Sequence, residues 1–263
     1  MKKEVVLIVA DKNYINHAKS LFANIKTIGN WLDDFCLLTN MNDEDTKIFR
    51  DKGIYVKQIN MNNPYYVKFN IFDDYFKQWN KVMYIDCDFL INKSLDIIKN
   101  LKEDDMYCDG EEFKILETFT MWDSGVQIPM TNTNHLNKYS DILRDLKENF
   151  KTEINGYNSG FMYFNTKIIN DSVKKLNDLK YRFKDINHHV GYVEGTDQPI
   201  INLLFNKWTQ IPNNYVSFWK RENFNSVAVH YCHWDAPWTG RYQNVYQKYI
   251  SNLKLFDNLK FYN

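Results

Sequence analysis

Lys81-Val82-Met83-Tyr84-Ile85-Asp86-Cys87-Asp88-Phe89-Leu90-Ile91 is the stretch on which the fold turns. Val82 to Ile85 is a run of mostly apolar, β-prone residues of the kind that forms a buried strand. Two carboxylates follow one residue apart, and the apolar character then resumes. On an extended backbone residues i and i+2 project to the same side, so Asp86 and Asp88 are expected to aim at one point beyond the strand end. Carboxylates held that close repel unless a cation or proton lies between them. A hard divalent ion such as Mn²⁺ or Mg²⁺ suits oxygen ligands and completes its shell with substrate phosphate and water. The plainer alternative is a surface turn, where Asp is common.

Working outward, the residues before this strand alternate between strand and helix patterns. Val5 to Ala10 is a continuous apolar strand of the sort buried on both faces. Tyr14 to Ile28 carries apolar residues at helical spacing, Phe35 to Leu38 is a second strand, and Asp43 to Lys52 a helix with an acidic first turn stopped by Gly53. Ile54 to Ile59 is a third strand, and Tyr66 to Trp79 has a helix-like pattern through Phe69, Phe72 and Phe76. Such alternation predicts an α/β fold with a parallel sheet and right-handed crossovers, whose ligands gather at the carboxyl ends of the strands. Ala10-Asp11, Thr39-Asn40 and Asp86–Asp88 would share that edge. No Gly-x-Gly-x-x-Gly or Walker loop occurs, so metal and side chains would have to hold any phosphate.

Beyond the central stretch, Glu103 to Lys151 shows little pattern and is expected to be loops plus one helix, His135 to Phe150. Asn158 to Asn165 is a strand, Ile168 to Phe183 a helix, and Pro199 to Phe205 a helix capped by Thr196. Val227 to Val229 is a last strand ending on His230. Tyr242 to Leu259 is an amphipathic closing helix.

Composition narrows the function classes. The 263 residues suffice for one large domain, and no linker or internal repeat divides 1–263. Lys plus Arg and Asp plus Glu balance at 33 each, so no global field favours nucleic acid. Cys36, Cys87, Cys108 and Cys232 make no zinc or disulfide spacing. No segment approaches the ~20 apolar residues of a membrane span, and the expected setting is cytosolic. Aromatics at 16% suit sugar stacking, although a Tyr- and Phe-built core explains most of them.

Five segments then agree in order: Asp11 with Tyr14; Asp86-Cys87-Asp88; Tyr157-Asn158-Ser159-Gly160-Phe161-Met162-Tyr163-Phe164-Asn165; Thr196-Asp197-Gln198-Pro199; and Val229-His230-Tyr231-Cys232-His233-Trp234-Asp235-Ala236-Pro237-Trp238. In order and spacing this set resembles glycosyltransferase family 8, and within it the glycogenin branch, from Val5 to Trp238. The resemblance implies a GT-A fold, with a mostly parallel central sheet flanked by helices, and transfer of a hexose from a UDP-sugar with retention. It implies Mn²⁺, with Mg²⁺ as the alternative, held by Asp86, Asp88 and His230. Ile8, Ala10, Asp11 and Tyr14 match positions that hold uracil and ribose. Asn158, Ser159 and Gly160 match the sugar-pocket segment, and Asp197 with Gln198 the pair beneath the donor sugar. Cys87 and Trp238 count with the donor-binding residues.

The chain departs from that pattern at the phosphate clamp. His233 and Ala236 stand where the family has Gly and Lys, leaving His233, Lys220 and Lys68 as candidates. Glucose is the donor the resemblance favours. The acceptor, whether glycan, protein or small molecule, is open, and a homodimer is an option since glycogenin-like enzymes often pair. Two other readings remain open here: a non-catalytic sugar-nucleotide or glycan-binding module, and a phosphohydrolase of the haloacid-dehalogenase type, which also places Asp-x-Asp after a strand.

Overall fold

A computed structural model of the chain describes residues 4–59, 64–101, 106–119, 140–184, 197–218, 225–232 and 235–261. The first half follows the expected alternation. β1 (Val5–Val9) leads to α1 (Ile15–Thr27), β2 (Asp34–Thr39), α2 (Asp43–Asp51), β3 (Tyr55–Gln58) and β4 (Lys81–Ile85). These strands pair in parallel in the order β3-β2-β1-β4. Alternate residues serve opposite faces. Val5, Leu7, Val82 and Tyr84 join the core on one side, Val6, Ile8, Met83 and Ile85 that on the other. Every residue of β4 is buried, as a strand covered on both faces requires.

After β4 the chain changes sheets. β5 (Phe89–Ile91) leaves the large sheet, and α3 (Asp96–Lys99), β6 (Tyr107–Lys114), α4 (Ile115–Thr118) and α5 (Ser140–Asn149) follow. β7 (Asn155–Asn165) returns beside β4, antiparallel to it, and β6 pairs antiparallel on β7's far side. The sheet is thus parallel through four strands and mixed beyond. α6 (Ser172–Phe183), α7 (Asp197–Leu204), β8 (Thr209–Gln210), β9 (Val216–Phe218), β10 (Ala228–His230) and α8 (Gln243–Phe256) complete the described elements. β8 extends the large sheet, and β5-β10-β9 make a second, three-stranded one. Residues of α1, α2 and α8 cover one face of the large sheet, those of α4 to α7 the other.

Several expectations need correction. Tyr66 to Trp79 is not an α-helix but two 3₁₀ segments, Pro64–Phe72 and Asp74–Gln78. Asp73 separates them, its carboxylate accepting from Tyr75 N at 2.8 Å, while Phe69, Phe72 and Phe76 are all buried. The helix expected from Ile168 begins at Ser172, because Asn165 caps a 3₁₀ turn and Asp171 takes φ 52° ahead of it. β6 lies where no strand was expected. Tyr107-Cys108-Asp109-Gly110-Glu111-Glu112-Phe113-Lys114 shows no alternation, and its pairing with β7 is broken by register shifts at Cys108/Asp109 and Gly110/Lys114. The 135–139 part of the helix expected over 135–150 and the Thr196 cap lie outside the described residues.

Candidate active site

The junction between the two sheets builds the centre of the site. Asp86 follows β4 and is tied to β7 by Asp86 N donating to Gly160 O at 2.8 Å. Phe89 N donates to Asp86 O at 3.3 Å, closing a turn that delivers the chain to β5. Asp86 and Asp88 therefore converge through this turn, not along the extended backbone first supposed. β5 pairs antiparallel with β10 so that Phe89 stands opposite His230, and Tyr231 N donates to Asp88 O at 2.9 Å. The imidazole is stacked on Phe89 (4.4 Å between centroids, 10°) and flanked edge-on by Phe218. One ligand atom each from Asp86, Asp88 and His230 lie within 4.8 Å of one another.

The charges in this cluster are constrained. Burial raises the pKa of Asp86, Lys68 opposes that, and neighbouring Asp88 adds to it. For His230 burial acts downward, but Asp88 and then Asp86 outweigh it and the pKa lies above the ordinary value. Asp88 Oδ1 is buried and lies 3.0 Å from His230 Nε2, an ion-pair contact within the cluster. The imidazole is thus the neighbour that offsets the Asp88 charge when no ion is bound.

A second group of residues adjoins the first. Asp197 and Gln198 open α7 beside β7. Ser159 Oγ donates to Asp197 Oδ2 (2.8 Å), and Ser159 N donates to Gln198 Oε1 (3.1 Å). Asn202, fully buried on the same helix, accepts from Tyr157 N (2.7 Å) and donates to Tyr157 O (3.0 Å), locking α7 to β7. Asn158 Oδ1 accepts from Gly160 N at 2.8 Å, and its amide donates to Glu111 Oε1 at 3.2 Å. At Gly160 a Cβ would stand 2.7 Å from His230 Cε1 and 3.1 Å from Asp86 Oδ2. Only glycine lets the strand pass this close to the cluster. Lys68 joins both groups, its ammonium lying 2.8 Å from Asp86 Oδ2, 3.2 Å from Ser159 Oγ and 3.6 Å from Asp197 Oδ2. Burial pulls its pKa down, but Asp197 and Asp86 more than reverse that. This lysine is thus engaged by the site's own carboxylates.

The edge of β1 contributes a third wall. Ile8 and Ala10 are buried. Asp11 Oδ1 accepts from Asn13 N and Tyr14 N, at 2.9 and 3.1 Å, turning the chain into α1. Cys87 Sγ donates to Val9 O at 3.5 Å, tying the acidic turn to β1. Tyr14, 49% exposed, meets Trp238 edge-on. Trp238 stacks on His17 at 3.7 Å and 14°, and His17 Nδ1 lies 2.9 Å from Tyr249 Oη. Desolvation lowers the His17 pKa to about 4. Ala236 is buried. His233 and Lys220 lie outside the described residues.

Sequence reasoning missed Tyr84, Glu111, Asn202 and His17. Tyr84 had a usable signal, since it stands two residues before Asp86 on the same strand face; its O–H donates to Asp86 Oδ1. His17 lies one helical turn from Tyr14. Glu111 and Asn202 had none, because their relevance comes from packing against β7.

No protein-family model matches the chain, and no curated protein matches it. Among solved structures it is similar to the glycosyltransferase GlyE of Streptococcus pneumoniae TIGR4, at 17% identity and TM-score 0.61, covering 97% of this chain and 63% of that one. It is similar to the galactosyltransferase LgtC in complex with donor and acceptor sugar analogs, at 15% identity and TM-score 0.62, covering 97% and 96%. The bifunctional glycosyltransferase WbbM in its apo form matches at 14% identity and TM-score 0.58, covering 96% and 50%. The chain thus spans less than two thirds of GlyE and nearly all of LgtC. These likenesses show the fold, which is GT-A. Among the described residues no helix is long and apolar enough to cross a membrane.

Proposed function

We propose that this chain is a metal-dependent retaining glycosyltransferase that moves a hexose, glucose in the first instance, from a UDP-sugar to an acceptor hydroxyl. The observation that carries this reading is the meeting of Asp86, Asp88 and His230 beside the Asp197–Gln198 helix start, at the carboxyl edge of the parallel strands. The solved LgtC complex, which holds donor and acceptor sugar analogs on a similar fold, supports it.

The residues present fit a divalent ion. Two carboxylates and an imidazole, with ligand atoms within 4.8 Å of one another, offer oxygen and nitrogen donors that suit Mn²⁺, and an ion there would take the place of the Asp88–His230 contact at 3.0 Å. Bound there, the ion would act as a Lewis acid on the donor's diphosphate as negative charge grows on it. The other tasks belong to the chain. Asp197 accepts from Ser159 Oγ and faces the Lys68 ammonium, contacts that hold its carboxylate in place to orient the sugar and stabilise oxocarbenium-like charge. Attack by the acceptor on the face the diphosphate leaves needs no separate base, since the departing phosphate oxygen takes the acceptor's proton. In this reading Tyr14 and Trp238, which meet edge-on, would wall the nucleoside.

The test is a panel of nucleotide-sugars assayed for Mn²⁺-dependent hydrolysis and transfer. UDP-glucose or another UDP-hexose should be consumed, and Asp88→Ala should abolish turnover while the protein still folds. Turnover retained in Asp88→Ala would overturn the proposal. Mn²⁺-dependent UDP binding with no turnover would favour a binding module, and phosphate release from a generic phosphomonoester a phosphohydrolase.

A further inference from the structure

The two carboxylates of the cluster are held differently. Asp88 presents a buried oxygen whose close partner is another member of the cluster, His230 Nε2 at 3.0 Å. Asp86 has both oxygens gripped: Oδ1 accepts from the Tyr84 O–H, and Oδ2 accepts from Lys68 at 2.8 Å. Tyr84 is buried one residue before the end of β4, where that strand pairs with both β1 and β7. Lys68 Nζ lies 5.8 Å from the Tyr84 ring centroid, so the two donors pack on one another as well as on Asp86. A phenol in the interior of an apolar strand ordinarily needs some partner for its O–H. Here the partner is a carboxylate of the candidate metal cluster, at a position where phenylalanine would fill the same space.

We propose that Tyr84 is a positioning residue for Asp86: its O–H, with Lys68 on the other oxygen, sets the carboxylate at the angle from which Asp86, Asp88 and His230 share one divalent ion. The inference rests on the metal-binding reading of that cluster. Carboxylates that bind metals depend on such outer hydrogen bonds, whose removal typically weakens metal affinity by about 10–100-fold. A carboxylate oxygen has two lone pairs, so the Tyr84 bond leaves one free for the ion.

The experiment measures Mn²⁺ binding directly, by electron paramagnetic resonance of free Mn²⁺, with and without UDP, so catalysis is not the readout. Wild type is compared with Tyr84→Phe, Tyr163→Phe and Asp88→Ala. Tyr163 is the control phenol: it is equally buried, on β7, and donates to Glu4 at 2.8 Å, away from the cluster. Tyr84→Phe should lose about tenfold or more in Mn²⁺ affinity while its metal-free melting temperature stays near wild type, and Tyr163→Phe should bind Mn²⁺ normally. If Tyr84→Phe does not fold, Tyr84→Met, which also lacks the O–H, should give the same loss. Binding within twofold of wild type in the folded variant would overturn the role of Tyr84. If Asp88→Ala binds Mn²⁺ as tightly as wild type, the metal reading itself has failed, which is a separate outcome.

Discussion

Gly160→Ala puts one methyl group into the space between the acidic turn and the imidazole. The new Cβ would stand 2.7 Å from His230 Cε1, 2.8 Å from Asn158 Oδ1 and 3.1 Å from Asp86 Oδ2. None of the three can retreat freely. His230 is clasped by Phe89 and Phe218, Asn158 is held by Gly160 N and Glu111, and Asp86 by Tyr84 and Lys68. Gly160 is not among the described glycines with positive φ, which are Gly53 and Gly240, so the backbone itself accepts alanine and crowding accounts for the cost. Overpacking of this kind costs about 1–3 kcal/mol, and the lower freedom of alanine in the unfolded chain returns about 0.4–1 kcal/mol. A net loss of roughly 1–2 kcal/mol should lower the melting temperature by about 2–8 °C. The larger effect should fall on metal binding, because the imidazole and a carboxylate are pushed apart together; about tenfold or more is expected. Calorimetry and Mn²⁺ titration of the purified variant measure both. A Gly160→Ala protein that melts with wild type and binds Mn²⁺ equally well would show that the ligands are not held as tightly as argued.

Two more outcomes follow from the charges. Lys68→Met removes the cation shared by Asp86 and Asp197, which should cost about 1–3 kcal/mol without metal, less than for a fully buried pair. Mn²⁺ should then raise the melting temperature of this variant more than that of wild type, and an equal rise in both would count against the lysine's role as counter-ion. The His17 pKa is depressed from 6.5 to about 4, so between those values the unfolded chain binds more protons than the folded one. Stability contributed by His17 is therefore full above pH 6.5 and is lost as pH falls toward 4. The difference in melting temperature between wild type and His17→Phe should change across that window and be flat above it; a difference independent of pH would refute the assignment.

How much of this could be read in advance depended on the kind of signal. Val5–Val9 and Lys81–Ile85 announce themselves by composition, because a strand buried on both faces has to be apolar throughout. The helix expected over Pro199 to Phe205, which begins at Asp197, and the end of a strand at His230 were legible for similar local reasons. β6 was not, since its acidic, bulged sequence earns its place only by pairing with β7. The 3₁₀ segments over residues 64–78 carry the same apolar spacing as an α-helix, and only packing distinguishes them.

What the sequence by itself determined was therefore the alternating α/β plan, the buried strands and the identity of the acidic pair, each a matter of which local backbone can be taken out of water. The tertiary structure alone decided that the chain switches sheets after Asp86, that Lys68 joins Tyr84 in holding Asp86, and that Lys68 is shared by Asp86 and Asp197. Those are contacts between residues far apart in the chain. They depend on which strand ends lie side by side once the sheets close, and no pattern of neighbouring residues carries that information.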